Sequence, residues 1–222
     1  MAHLAPPYLP PPDTGIAPIF CDPTLLVVDK PAGLLSVPGR GEERQDCLVA
    51  RLHRQGYPDA LTAHRLDMGT SGLLVLARGE AAHSELSRQF RERLVDKRYI
   101  AVVAGLLADD SGSIDLPLIC DWPNRPRQMV DFTIGKPSLT HFRVLARDPV
   151  ADCTRVELEP ITGRSHQLRV HLAALGHPIL GDELYAGAAA EQAPRLLLHA
   201  SKISFFHPST VEKLEFSSPA PF

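Results

Sequence analysis

The chain has no apolar run approaching the roughly 20 residues that a membrane-spanning helix needs. Its first residues, MAHLAPPYLPPPDTG, lack the basic start and apolar core of a secretory signal. Cysteine is sparse: Cys21, Cys47, Cys120 and Cys153 lie far apart, and no CxxC pair occurs. That excludes a zinc ribbon or a redox dithiol as read from spacing, and favours reduced thiols in a cytoplasmic protein. HExxH, GxSxG, GxGxxG and GxxxxGK[ST] are all missing, so neither a zincin, a nucleophile elbow nor a nucleotide-phosphate cradle is indicated. Excess positive charge is missing as well. The net charge is −3 and the pI about 6.4, which taken alone argues mildly against a nucleic-acid partner.

The distribution of charge tells more than its sum, because phosphate contacts are local. Residues 88–98, RQFRERLVDKR, hold five Lys/Arg against two acids. The 222 residues suffice for one substantial domain, or for two lobes sharing a sheet. Residues 1–19 hold many of the 21 prolines and no apolar period, so they read as a proline-rich tail, flexible or ordered late, preceding a single domain over 20–222. Strands are expected at 24–29, 72–77, 98–104, 139–146, 154–160, 196–200, 202–206 and 213–217. Helices are expected at 46–55, 80–92 and 165–175. Strands outnumber helices and come in runs, which predicts an α+β fold with a largely antiparallel sheet.

Three stretches carry candidate chemistry. In AHRLDMGTSGLLVLA (63–77), a polar turn with two glycines runs into a buried strand. It would hold His64, Arg65 and Asp67 on a rigid edge, where a functional group is positioned best; the alternative is an Arg–Asp turn that only caps the strand. In ITGRSHQLRVHLAALGHP (161–178), Arg169 borders the apolar face of a helix. A partly buried arginine requires an anion, and Asp67 is a candidate. His166 and His171 form an HxxxxH pair without an acidic third ligand, so no metal is expected. In DKRYIAVVAG (96–105), Tyr99 sits within an apolar strand, either as core or as a stacking platform for a base.

Together these stretches resemble the RluA family of pseudouridine synthases. HRLDMGTSGLLVLA is similar to the family's signature, VVDKPAGLLSVPG (27–39) to its N-terminal motif, and KRYIAVV (97–103) to its tyrosine motif. ITGRSHQLRVHLAALGHPILGD (161–182) resembles its arginine motif and RLLLHA (195–200) its C-terminal motif. The run 116–140 is similar to members with dual specificity, which act on 23S rRNA and the tRNA anticodon stem-loop.

The resemblance implies a pseudouridine synthase fold with two lobes flanking a catalytic cleft, no S4 domain, no cofactor and an RNA substrate. It also implies a monomer without an obligate protein partner. Asp67 would be the catalytic aspartate, Tyr99 would stack on the target base and assist proton removal, and Arg169 would pair with Asp67. Arg65 would enter the RNA where the base had been. His64, Arg164 and Leu198 would complete the substrate site.

Overall fold

A computed structural model describes residues 8–222. In chain order its strands are β1 (Pro18–Cys21), β2 (Leu25–Lys30), β3 (Ala60–Thr62), β4 (Ser71–Arg78), β5 (Asp96–Ala104), β6 (Ser111–Asp115), β7 (Leu118–Cys120), β8 (Gln128–Val130), β9 (Leu139–Asp148), β10 (Cys153–Pro160), β11 (Leu198–Phe206) and β12 (Lys213–Ser217). The α-helices are α1 (Leu48–Arg54), α2 (Glu80–Arg91) and α3 (Gln167–Ala174). Ten strands form one sheet along the path β1-β2-β4-β11-β5-β10-β9-β6, with β3 on β4 and β12 on β11; β7 and β8 form a separate hairpin. All pairings are antiparallel except β4 with β11. The expected α+β fold is therefore found.

The apolar runs of β2 and β4 follow from burial on both faces. Leu26, Val28, Leu74 and Leu76 pack with Leu48 and Leu52 of α1. Leu25, Val27, Leu73, Val75 and Ala77 pack on the other face with Ala82 and Leu86 of α2. Each such leucine gains roughly 1.5–3 kcal/mol over an exposed one. A separate core serves the second lobe, where Ala101, Val103, Val156 and Leu158 meet Leu168 and Leu172 of α3. The alternation in β10 puts Glu157 and Glu159 on the face opposite Val156 and Leu158, as its pattern predicts.

The lobes join at β4 and β11. Their parallel ladder has two residue pairs, His199 with Ser71 and Ala200 with Gly72. Gly72 has φ +110, and a Cβ there would stand 2.4 Å from the Ala200 carbonyl oxygen. Any side chain at position 72 would force the two lobes apart, which accounts for the glycine at the start of the strand.

Two expectations are corrected. Residues 8–19 are not a loose tail. The Tyr8 hydroxyl donates to the Asp46 carbonyl at 3.0 Å, the Ile16 N–H donates to Gln55 Oε1 at 3.0 Å, and Ile16 joins the α1 core. Arg51 binds the carbonyls of Pro11 and Pro12. Prolines keep their acceptors while lacking donors, so such a strap leaves no hydrophobic period to read. Residues 1–7 lie outside the described residues. The two strands expected at 196–200 and 202–206 are one, β11, with a register shift between Ala200 and Lys202 that resets its alternation.

Candidate active site

The turn carrying Asp67 lies between β3 and β4 and is held through its own main chain by residues 30–36. Ser36 Oγ donates to the Leu66 carbonyl at 2.7 Å and accepts the Leu66 N–H at 3.2 Å. The Gly33 N–H donates to the Met68 carbonyl at 2.8 Å, and the Thr70 N–H closes the turn on the Asp67 carbonyl at 3.1 Å. Beneath it lies Lys30, fully buried, whose ammonium donates to the carbonyls of Pro31, Leu34 and Met68 at 2.9, 2.7 and 3.1 Å. Burial lowers its pKa to about 7; Asp67 nearby works in the other direction. Lys30 ties the loop after β2 to the turn before β4.

The opposite wall comes from α3. Gln167 shapes its entry: Oε1 accepts from Thr162 Oγ1 at 2.7 Å and the Arg164 N–H at 3.0 Å, while Nε2 donates to the Leu139 carbonyl. Arg169 is buried. Its Nη1 reaches Asp67 Oδ2 at 3.4 Å, so the expected pairing occurs, but it is the weaker of two. Asp182, completely buried, accepts from Arg169 Nε and Nη2 at 2.7 Å each. Asp182 Oδ1 also accepts the N–H groups of Leu184 and Tyr185. Burial opposes the guanidinium's charge, but the hydrogen bonds to Asp182 and the two carboxylates outweigh it and raise the arginine's pKa. This bidentate grip leaves one guanidinium edge free to face Asp67. Gly181, with φ +73, lets the chain pass against Arg195; a Cβ there would overlap that residue's carbonyl oxygen at 1.8 Å.

Between the walls is an open cleft of about 520 Å³ lined by Arg65, Asp67, Tyr99, Arg164, Arg169 and Leu198, among others. Six of the seven residues expected at the substrate site therefore converge. Tyr99 stands at the centre of the sheet, opposite Leu158 of β10 and Ala200 of β11, and touches the cores of both lobes. Burial, followed by the charge of Asp67, raises the pKa of its phenol. The Asp67 side chain is 29% exposed, reachable from the cleft mouth. Arg65 and Arg164 stand exposed at the rim.

His64 is the exception. Its ring stacks on Phe90 of α2 with centroids 4.3 Å apart, and Nε2 accepts the Val75 N–H at 3.1 Å. Burial pushes its pKa down to about 3. The residue before Arg65 thus points behind the sheet and anchors the turn. His171 is also structural, its ring nitrogens meeting Thr140 Oγ1 and the Leu116 carbonyl at 3.0 Å.

Three site residues escaped sequence reasoning. Asp182 and Lys30 lie inside quoted motifs, but nothing in their spacing shows which charge they meet. His166 lines the cleft 3.9 Å from Asp67, with φ +53, and its Nδ1 contacts the Tyr185 hydroxyl at 2.7 Å. Tyr185 in turn lies under the Arg169 guanidinium, 5.1 Å from ring centroid to carbon. The one usable signal was that a buried arginine needs an anion, and a carboxylate stands 13 residues on in the same motif.

A carboxylate, a guanidinium aimed at it and an aromatic wall suit chemistry on one flat polar ring. The family model for RNA pseudouridylate synthase matches residues 24–174, which include Lys30, Asp67, Tyr99 and Arg169. The chain belongs to that family. It is 52% identical over 217 residues to the dual-specificity RNA pseudouridine synthase RluA of Escherichia coli K12, covering 97% of this chain and 98% of that protein. A Vibrio parahaemolyticus protein of the same name is 54% identical over 207 residues, covering 91% and 82%. Among solved structures, human RNA pseudouridylate synthase domain containing 1 aligns with a TM-score of 0.79 at 31% identity, covering 96% of this chain and 87% of that one. Human RNA pseudouridylate synthase domain containing 4 aligns with 0.72 at 25%, covering 93% and 88%. The family's reaction, isomerisation of uridine to pseudouridine within RNA, is this chain's activity. No helix among the described residues is long and apolar enough to cross a membrane.

Proposed function

We propose that the protein modifies uridines in two kinds of folded RNA loop, a 23S rRNA hairpin and the tRNA anticodon stem-loop, with Asp67 as the catalytic carboxylate. We further take it to act as a monomer in the cytoplasm. Support for two substrates comes from the near full-length identity to relatives named dual-specificity enzymes. Support for Asp67 comes from one observation above all: it is the carboxylate in the cleft that faces Arg169, which a second, buried carboxylate holds in place.

The reaction breaks the N1–C1′ bond, turns the base and joins C5 to C1′. No electron or group is exchanged with a second molecule, so a carboxylate suffices. Asp67 attacks C1′ or C6, or removes the C2′ proton while stabilising positive charge at C1′. Arg169 orients it through the 3.4 Å contact of Nη1 with Oδ2. The target atoms are out of reach in a stacked loop, so the base must be extruded at a cost of a few kcal/mol. Stacking on Tyr99 returns about 1–3 kcal/mol. Arg65 at the rim adds more by occupying the vacated position and stacking its guanidinium on neighbouring bases. Leu198 packs the apolar side of the ring, and Arg164 meets the backbone. A phenol held protonated is a poor acceptor for the C5 proton, so Tyr99 acts chiefly as a wall; the C5 proton leaves to water in the open cleft, and N1, freed from C1′, takes up a proton from water in its place. His64 supports the turn from behind and does not contact RNA.

Asp67→Asn is expected to keep its fold and its RNA affinity while releasing no tritium from C5-labelled uridine in either RNA. Turnover by the purified variant removes the assignment. Turnover of the native protein on only one of the two RNAs removes the dual specificity and leaves the chemistry.

A further inference from the structure

Lys97 has no use in the chemistry above, yet it shares a face of β5 with Tyr99 and lines the same cleft. Two residues along a strand set them roughly 7 Å apart. The Lys97 side chain is partly withdrawn from water, and burial lowers its pKa, with Asp96 opposing and Arg93 adding to that. Its ammonium makes no hydrogen bond or ion pair with any described residue. The nearby carboxylates are engaged: Asp96 pairs with Lys213 at 3.5 Å, and Glu159 with Arg98 at 2.5 Å. The Lys97 side chain is half-buried along its length, and no protein acceptor among the described residues meets its ammonium. The fold leaves that ammonium open at the surface of a cavity, where a ligand can supply the acceptor.

The position of Lys97 narrows what that ligand is. It is shared, with Pro160, between the cleft and a second cavity of about 280 Å³ whose rim carries Arg93. A Cβ on Gly163, in the turn leading to Arg164, would stand 4.0 Å from its Nζ, so the approach from that side is free of side chain. Of the five basic residues in 88–98, Arg88 and Arg98 are committed to Glu85, Glu92 and Glu159, while Arg91, Arg93 and Lys97 carry no ion pair among the described residues; of these three, Arg93 and Lys97 line the second cavity. A base stacked on Tyr99 brings its own backbone phosphate within a nucleotide's reach along the same face. A lysine ammonium, a compact charge with three rotatable donors, suits a phosphate that is bound by charge rather than by a fixed fork.

We propose that Lys97 seats a backbone phosphate of the RNA beside the nucleotide whose base enters the cleft, and that Arg93 continues this anion track along the second cavity. The proposal rests on the cleft being the uridine site. Its test uses Lys97→Met, Lys97→Arg and Arg93→Ala with an anticodon stem-loop transcript. Binding is measured against salt in the inactive Asp67→Asn background, and turnover in the otherwise native chain. Lys97→Met is expected to weaken binding about tenfold at low salt and to flatten the slope of log affinity against log salt by about 0.7–1, one phosphate's share. Its loss in kcat/KM is expected in KM. Lys97→Arg restores the slope, and Arg93→Ala shifts it in the same direction by less. Thermal stability of Lys97→Met stays level or rises, since a half-buried charge that pairs with no described residue is gone. A slope unmoved by Lys97→Met, or a loss confined to kcat, overturns the proposal. If Asp67→Asn itself turned over, the cleft assignment would fail first; an inert Asp67→Asn with an unchanged Lys97→Met slope defeats this inference alone.

Discussion

The two walls of the cleft are built by different means. Asp67 rides on a turn fixed through main-chain groups, by Ser36, Gly33 and the ammonium of Lys30. Arg169 is fixed through its own side chain, by a buried carboxylate that binds it at two points. The difference follows from what each group needs. A carboxylate at 29% exposure keeps water at hand and needs only to be aimed. A buried guanidinium needs charge compensation as well as direction. The Asp67 wall should therefore tolerate loss of its functional group, whereas the Arg169 wall should not tolerate loss of its support.

The largest effect is expected at Asp182. Asp182→Ala leaves Arg169 buried without its two short bonds and strips the acceptor from the N–H groups of Leu184 and Tyr185. A stability loss of about 3–5 kcal/mol in urea unfolding, with activity near zero, is the expected outcome. A loss under about 1 kcal/mol would mean that the clamp is not what holds the second wall.

Lys30 tests the first wall through pH. Its folded pKa of about 7 lies below the 10.5 of an ordinary lysine, so between these limits the unfolded chain holds a proton that the folded chain has shed. Stability from this group therefore rises with pH across about 7–10.5 and falls as pH drops toward 7, with a slope on the order of 1 kcal/mol per pH unit. Lys30→Met should lack that rise and should show lower kcat from a loosened turn. Parallel stability curves for the two proteins above pH 7 would contradict the account.

Tyr99, at the seam, should give the smallest change. Tyr99→Phe keeps the ring that touches both cores and loses only the hydroxyl. Release of the C5 proton within a few-fold of the native rate is expected. A fall of a hundredfold or more would restore the hydroxyl to a proton-transfer role.

Much of this was legible along the chain. The apolar runs at β2 and β4, the period of α2 and the alternation of β10 each report local burial, and burial repeats with the geometry of the element. The turn holding Asp67, the aromatic Tyr99 and the bordering position of Arg169 could be read from their neighbours. The proline segment misled because its contacts run through carbonyls, which every residue has. His64 misled because adjacent residues in a turn point in opposite directions, and residue type does not say which one faces the cleft. Asp182 was overlooked because its partner is fixed by where the chain after α3 returns.

By itself, then, the sequence determined the order of elements, the family's motifs and the residue types that the reaction needs, since each depends on near neighbours. Only the tertiary structure decided that Arg169 answers first to Asp182, that His64 turns inward and that Lys97 is left without a partner among the described residues. Those outcomes depend on distances between segments far apart in the chain, and in a buried site a difference of about 1 Å separates a strong charge pair from a weak one.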